Sequence, residues 1–574
     1  MDRLVTLAHP LATLPPLQLA AASLAILTFA GYLWLYPIAY ARLAYRNLPG
    51  PDPGSFFWGN ITGVFASPTP NSAHADWHKA HGHTIKYRMQ FGSHDLSTID
   101  PAALSYIVNN PYVFDKPPVV KAFLSRLVGA GVILSTGDHH RNQRKIMGPA
   151  FGQGAVKEMF PVFYDVSYAL KDKLRDLISS QSRIVTSPSP IKPSELVDGG
   201  AKIDVLKYLT LAAFDIIGIS GFGFVFNSLS GEKNMVVDLV EAFLQNGSEL
   251  GVQYILKQYF PFTLLVSESK LVWQIWLTLA QRSNRDRMVM EKRQTLILDI
   301  TSGEGVQKRQ DIGKDLLSLL VKSNIASDLK KNERLAEDDI ADQILTILLA
   351  GGETTSSAVS SILHFLTQYP DVQDRLRKEL LTIDEDRPSA ETLNKLPYLE
   401  AVIREVIRLA PGVSLYFRTA VHDVIIPFSQ PLVGADGKLM TEVKMKAGDQ
   451  LFLPLTAINT SPALWGPDGE SFNPSRWLQE DPNRVKLPGV YGNNFTFVGG
   501  TRYCIGYRFA LQQIKVVLFV LLRGFDFQEL KSKPELFRAT SSVVQTFIRG
   551  EEHLGTQNPL MVVPLGGSAE APAA

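Results

Sequence analysis

From Leu17 to Tyr40 the chain carries no charged residue, and most of the stretch is Leu, Ala, Ile and aromatic. About 20 such residues cross a bilayer core as a helix, which satisfies its own backbone groups where no water can. A cleaved secretory signal is the alternative, but its apolar region runs to roughly 7–15 residues before a small-residue cleavage site. This segment fits neither feature. Trp34, Tyr36 and Tyr40 stand at its C-terminal end, where interfacial aromatics belong, and Arg42 and Arg46 follow. Weighed against Arg3 and the amino terminus, the positive-inside bias places the bulk of the chain in the cytoplasm. The expected division is a short lumenal segment at 1–16, a single transmembrane anchor at 17–40, a Pro-rich hinge at 41–55, a globular domain at 56–565 and a disordered tail at 566–574. In the hinge, Pro49, Pro51 and Pro53 stiffen the backbone and remove donors.

The remainder is ordinary globular material. Apolar residues make up 45% of the 574 and charged residues 20%, enough for a sizeable core. Lys plus Arg (57) nearly cancel Asp plus Glu (56), which argues against a nucleic-acid partner. The single cysteine excludes an internal disulfide and a multi-Cys zinc site, and fits a reducing compartment. Asp339 to Tyr369 reads as one long helix stopped by Pro370, and Leu396 to Ala410 as another, with an apolar stripe at helical spacing. Strand-like runs follow at Val424–Pro427 and Val443–Pro454, with turns at Asp436-Gly437 and Ala447-Gly448-Asp449. A last helix runs from about Gly506 to Leu522. Ser179–Gly200 and Ser302–Gly313 read as surface loops. The pattern predicts a mainly α fold with a small β-sheet region.

Four constellations carry chemistry. The first is Phe497-Val498-Gly499-Gly500-Thr501-Arg502-Tyr503-Cys504-Ile505-Gly506. A lone cysteine is more often a small buried hydrophobe than a ligand. Cys504, however, starts a helix, whose free N–H groups and positive dipole end favour a thiolate. Gly500 permits a tight turn and Gly506 a close approach to something flat. Arg502 offers a fork of donors suited to a carboxylate, and Phe497 could shield the sulfur. The second is Ala350-Gly351-Gly352-Glu353-Thr354-Thr355, inside the long helix. Each interior Gly costs about 1 kcal/mol relative to Ala, so the pair marks either close helix packing or a locally opened helix facing a ligand. The third joins Glu405 and Arg408 with Phe472-Asn473-Pro474-Ser475-Arg476-Trp477 downstream. The fourth is His140 with Arg144.

These residues resemble the cytochrome P-450 superfamily. F-x-x-G-x-R-x-C-x-G matches its haem-binding signature at every fixed position, and Ala350–Thr355 is similar to its oxygen-activation motif. The matches span Arg144 to Gly506, and Ile458-Asn459 with Trp465-Gly466-Pro467 look like fungal, especially basidiomycete, members. The resemblance implies a P-450-like α+β fold and a haem b whose iron Cys504 ligates, a thiolate that favours O–O cleavage. Phe497, Gly500, Arg502 and Gly506 would then belong to the haem site. Thr354 would steady bound dioxygen and its proton supply, with Glu353 in the relay, although Glu353 could also be a salt-bridged helix residue. Glu405, Arg408 and Arg476 would form a buried structural triad. Arg144 would contact a haem propionate, with Arg418 as a further donor. His140 replaces the family's tryptophan and reads either as a propionate donor or as a solvated histidine.

The function implied is insertion of one atom of O2 into a lipophilic molecule at the endoplasmic reticulum membrane. Electrons would come from NADPH through a reductase, with cytochrome b5 as a second candidate donor. Terpenoid secondary metabolism is the expected setting for a fungal member. Two other readings stay open: a haem-thiolate isomerase or dehydratase working without O2 or reductase, and a non-enzymatic haem or membrane scaffold protein. Candidate substrate-lining segments are Phe123–Val128, Leu349 and Ala350, Val413–Leu415 and Ser541–Val544. Phe260-Pro261-Phe262 reads as a membrane-dipping entrance or a core turn.

Overall fold

The computed structural model describes residues 40–180 except 66 and 68, 199–230, 315–324, 334–540 except 483, and 543–565, with scattered positions between 23 and 38. The loops expected within 181–198 and at Ser302–Gly313, the Phe260–Phe262 segment and the tail 566–574 lie outside the described residues. The scattered positions between 23 and 38 are helical, with Leu27 and Trp34 exposed. At the end of that run Tyr36 packs edge-on against Phe56, 5.3 Å between ring centres, and Tyr40 lies 5.0 Å from the His94 ring.

Helices form most of the molecule. The core helix, Glu337–Gln368, starts where the Asp339 carboxylate accepts the Ala336 N–H and stops at Pro370, which opens the next helix, Pro370–Leu380. Its closest partner is Val205–Phe222, apolar on nearly every face and ended by Gly223 in the left-handed region. Among the described residues Val205–Phe222 is the one helix long and apolar enough to cross a membrane, and it is mostly buried in the core. Such all-round hydrophobicity belongs to a helix enclosed by protein. Pro397–Leu409 follows the expected stripe, with Leu399, Val402, Ile403 and Val406 fully buried. The Glu379 carboxylate caps it, accepting the Tyr398 and Leu399 N–H groups at 2.8 and 2.7 Å. Tyr507–Leu522, entered through Gly506, packs on Phe160–Ser179 and on the core helix.

The β structure is more extensive than the sequence suggests. Strands β1 (Thr84–Arg88), β2 (His94–Thr98), β3 (Phe114–Asp115), β5 (Leu415–Ala420) and β8 (Gln450–Pro454) form a sheet in the order β1-β2-β8-β5-β3. Only the β2–β8 pairing is parallel. β6 (Val424–Val433) and β7 (Leu439–Met445) make the hairpin around Asp436-Gly437, longer than expected and irregular between Pro427 and Leu432. β4 (Ala201–Asp204), β12 (Pro559–Pro564) and β9 (Phe525–Gln528) form a three-stranded sheet, and β10 (Leu536–Thr540) pairs with β11 (Val544–Ile548).

Segment 41–55, expected as a stiff hinge, is docked on the domain at its middle. Tyr45 and Leu48 are buried, the Lys86 N–H donates to the Pro49 carbonyl at 3.0 Å, and the Ala435 N–H to the Asn47 carbonyl at 2.7 Å. These backbone bonds, with Tyr45 and Leu48 buried just ahead of the prolines, fasten it to β1 and to the turn of the β6–β7 hairpin. Helix Pro101–Asn109 is equally fixed. Asp100 caps its first turn and also accepts the Ser429 N–H and hydroxyl. Its last turn supports the cysteine loop.

Candidate active site

The loop before Cys504 is held in an unusual backbone shape. Val498 has φ +57°, a region costly for a β-branched residue, and Gly500 has φ +61°. A Cβ at Gly500 would overlap the Val108 carbonyl at the end of Pro101–Asn109, so only glycine fits there. Gly506 is different: a Cβ there would meet only Phe151, at an ordinary 3.8 Å. Protein contacts alone therefore do not demand glycine at 506. The Cys504 N–H donates to the Phe497 carbonyl at 2.9 Å, closing the turn. Asn459 ties this loop to the helix of the triad. Its side-chain oxygen accepts the Phe495 N–H at 2.7 Å, its amide donates to Thr496 Oγ1, and Thr496 Oγ1 donates to the Ile407 carbonyl.

Protein encloses Cys504 on all sides, yet its side chain keeps accessible surface, so the sulfur faces an interior space. Burial pushes its thiol pKa up; the Gly506 N–H and the Arg144 charge pull it down but do not win. Burial thus opposes the ionised form that the helix start favours. A bound metal cation would hold the thiolate, because a coordinating thiol is deprotonated outright.

The predicted donors converge around one place. Arg502 gives Nε–H to the Pro111 carbonyl at 3.2 Å and Nη1–H to the Ser135 carbonyl at 3.1 Å, leaving a buried Nη2 without a partner among the described residues. Arg144 donates to the Tyr503 carbonyl at 3.0 Å and lies over the Tyr503 ring. Arg418, 5% exposed, stacks 3.5 Å from the centre of the Tyr416 ring. His140 is only 3% exposed, which removes the solvated reading, and its Nδ1 lies 3.1 Å from the Tyr112 hydroxyl. Burial first, then Arg502, Arg144, Lys116 and Arg141, lower its pKa to about 3. Burial and these cations favour the neutral ring, which offers an N–H donor. Lys116 was missed: it is enclosed beside Arg418 and Arg502, and burial followed by their charges lowers its pKa. The Asp-Lys-Pro-Pro run after β3 was its only signal.

This donor set fits a haem. Among the described residues no three of His, Cys, Asp and Glu converge, so a bare ion would find one protein ligand at Cys504. A metal that brings its own ring of nitrogens needs little more. Arg144, Arg418, Arg502 and Lys116 outnumber the one acid among them, Asp115, which also pairs with Lys121. Two propionates would balance that excess, and Arg502 Nη2 is a donor in need of an acceptor.

On the core helix, the paired glycines serve packing. A Cβ at Gly352 would come within 2.8 Å of the Phe214 ring, and one at Gly351 within 3.0 Å of Ile217. The helix runs unbroken through them, so the opened-helix reading does not hold here. Thr354 Oγ1 donates to the Ala350 carbonyl at 2.6 Å, one turn back, and abuts the Gly412 backbone. Glu353 and Thr355 are each 2% exposed, and the Thr355 hydroxyl has no partner among the described residues. Ala350 and Val413 keep accessible surface inside the fold. Leu349 packs with Val128 and Leu134, whereas Leu415 turns away to the cluster around Phe452.

The structure brings Glu405, Arg408 and Arg476 together. The fully buried Glu405 carboxylate accepts Arg408 Nε at 2.9 Å and Nη2 at 2.8 Å, and Arg476 Nε at 2.8 Å. It also accepts the Asn473 N–H and Trp477 Nε1. Arg408 donates onward to the Asn459, Gly469 and Ser471 carbonyls, and Arg476 grips Asp468 with both terminal nitrogens. Asp468 is the partner that the spacing of the motif had not revealed.

Comparison with known proteins agrees with this geometry. Residues 48–548 match the family pattern described as cytochrome P-450. Cytochrome P-450 monooxygenase 205 of Postia placenta is 35% identical, the alignment covering 96% of this chain and 98% of that protein. Cytochrome P-450 monooxygenase 128 of the same fungus is 34% identical, over 90% and 92%. A ganoderic acid synthetase of Ganoderma lucidum is 32% identical, over 91% and 95%. The chain belongs to the cytochrome P-450 family, whose members are haem-dependent oxidoreductases.

Proposed function

We propose that this chain inserts one atom of O2 into a lipophilic substrate at a haem b ligated by Cys504, in fungal secondary metabolism such as terpenoid biosynthesis. The monooxygenase names of its relatives and the product named for the Ganoderma protein support that setting. When bound, the haem supplies O2 binding and activation. The Gly506 N–H beside the Cys504 sulfur tempers the charge on that ligand. Arg144, Arg418, Arg502 and Lys116, with neutral His140, hold the propionates and so fix the ring's orientation. Val128, Leu134 and Leu349 keep water from the substrate side. Thr354 donates a hydrogen bond to the Ala350 carbonyl in this state; rotation of its hydroxyl would let it order a water and donate instead toward the substrate side. General acid assistance of this kind contributes about 10²–10⁴-fold. Residues 17–40 anchor the chain in the endoplasmic reticulum membrane, and NADPH electrons arrive through a reductase, with cytochrome b5 as an alternative donor.

The observation that carries the reading is the enclosed, inward-facing Cys504 sulfur beside an acid-poor cluster of arginines. Reduced protein under carbon monoxide should show the long-wavelength Soret band of a thiolate-bound haem, and Cys504→Ser should lose it. Reconstitution with a reductase should then consume NADPH and oxidise members of a terpene, fatty acid and aromatic panel. A band that survives Cys504→Ser would refute the ligand. Turnover of substrate without NADPH would refute the reaction.

A further inference from the structure

A cavity of about 260 Å³ lies away from the cysteine, between the ends of the core helix and Pro397–Leu409 and the β10–β11 hairpin. Phe365, Leu409, Pro411 and Val544 give it apolar walls, and Thr456 and Thr460 add hydroxyls. Arg538, from β10, also lines it. Protein encloses this guanidinium, and burial lowers its pKa to about 10, so it stays cationic at neutral pH. Its one hydrogen bond among the described residues is a long one, Nη1 to the Leu409 carbonyl at 3.4 Å, and its carbon lies 5.8 Å from the centre of the Phe365 ring. It has no ion pair among the described residues. Outside the cluster beside Cys504, other enclosed arginines are paired: Arg408 meets Glu405, and Arg377 meets Asp374 and Asp526. An enclosed cation without a counter-charge is costly, and large gains come from supplying one.

Neighbouring groups do not meet that need. His364, on the core helix, is kept neutral by burial and then by the Arg538 charge, with a pKa of about 4, and its Nδ1 has no partner among the described residues. Asp76 and Glu470 line the cavity but are exposed, where water and salt screen them. They disfavour a polyanion more than a single negative charge. The cavity also shares a wall with the oxygen side of the site. The Val544 N–H donates to the Gly412 carbonyl at 2.8 Å, Ser357 donates to the Val544 carbonyl at 2.6 Å, and Gly412 abuts Thr354.

We propose that this cavity is a carboxylate-binding site: the Arg538 fork pairs with one planar, singly charged carboxylate whose apolar body rests on Phe365, Leu409 and Val544. The volume lies below the roughly 300–1,000 Å³ of sites that swallow a whole drug-sized ligand. It therefore takes a small organic acid or the acid end of a longer amphiphile. Only the distinction between those two sources rests on the haem assignment made above.

The test is calorimetric titration of the full-length, haem-loaded protein with hexanoate and decanoate, each beside its methyl ester. The acids should bind at least tenfold more tightly than the esters. Arg538→Gln should abolish that preference, and Arg538→Lys should keep part of it. Should Arg538→Gln fail to fold, Ala410→Leu, which fills the cavity and leaves the arginine, must weaken the acids at least tenfold. Cys504→Ser should bind the acids unchanged, so failure here and failure of the haem ligand read out separately. A Soret shift on binding identifies the acid end of a substrate; binding without one identifies a separate effector acid. Equal affinity for acid and ester, or an acid preference that survives Arg538→Gln, overturns the proposal.

Discussion

Replacing Glu405 by Gln keeps the shape of the side chain and removes one charge. In the native protein its carboxylate accepts five hydrogen bonds, from two nitrogens of Arg408, from Arg476, from the Asn473 backbone and from the Trp477 indole. A glutamine has one acceptor oxygen, and its NH2 would face donors. Arg476 keeps Asp468, but Arg408, wholly buried, keeps only backbone carbonyls. Breaking a buried pair from one side costs about 3–5 kcal/mol. Total stability for a domain is about 5–15 kcal/mol, so the loss is a large fraction of the whole. At about 2–4 °C per kcal/mol, the expected fall in Tm is about 6–20 °C, towards the lower end for a chain this long. Scanning calorimetry of the full-length, haem-loaded protein measures it, with Soret absorbance following haem retention. A Glu405→Gln protein within 1 °C of wild type, with full haem content, would show that the network adds nothing to stability.

Thr354→Ala should keep the carbon monoxide spectrum and substrate binding but divert electrons to hydrogen peroxide, lowering product per NADPH. Thr355→Val should leave coupling intact and cost no stability, because it removes a buried hydroxyl without a partner; equal coupling in both variants would sink the Thr354 role. His140→Ala should lower haem retention and His140→Trp largely restore it, with no pH dependence from pH 5 to 8, since the ring is already neutral across that range. Asp95 makes a pH prediction: burial, then Asp449, raise its pKa to about 7. The folded state then holds a proton that the unfolded state has lost between about pH 4 and 7, so stability falls with rising pH there, by at most about 1.4 kcal/mol per unit. Asp95→Asn should flatten that slope and raise Tm at pH 8, as denaturation across pH will tell.

What could be read ahead of the structure depended on how local the signal was. The core helix and Pro397–Leu409 announced themselves because burial, period and stop signals all lie within the segment. The strands β1, β2, β10 and β11 did not, since each is only five residues long, too short for its own period to declare it, and β2 is also held by β8, remote in sequence. The cysteine loop was legible as a string but not as a shape. Val498 gives no hint of a left-handed backbone; the turn between Gly489 and Gly500 imposes it. The glycine pair at 351 and 352 was legible as a question, and its answer, Phe214 and Ile217, sits on a helix well over a hundred residues earlier. Lys116 escaped notice for the same reason: an enclosed lysine looks like any other until its neighbours are known.

The bonds around the cysteine loop also set an order of events as the chain is made. Arg144 reaches Tyr503 across 359 residues, and Arg502 reaches Pro111 and Ser135 across 391 and 367. Contacts so distant along the chain are slow to close, because the entropy of the intervening loop is lost before they reward it. During synthesis the N-terminal supports emerge first and must wait, while Cys504 leaves the ribosome near the end. Chains truncated before about residue 500 would lack both Arg502 and the Cys504 sulfur, leaving Arg144, Arg418 and Lys116 without the loop that packs among them. The Cys504 loop is therefore completed only after nearly the whole chain has been made, and its long-range bonds are among the last that folding can close.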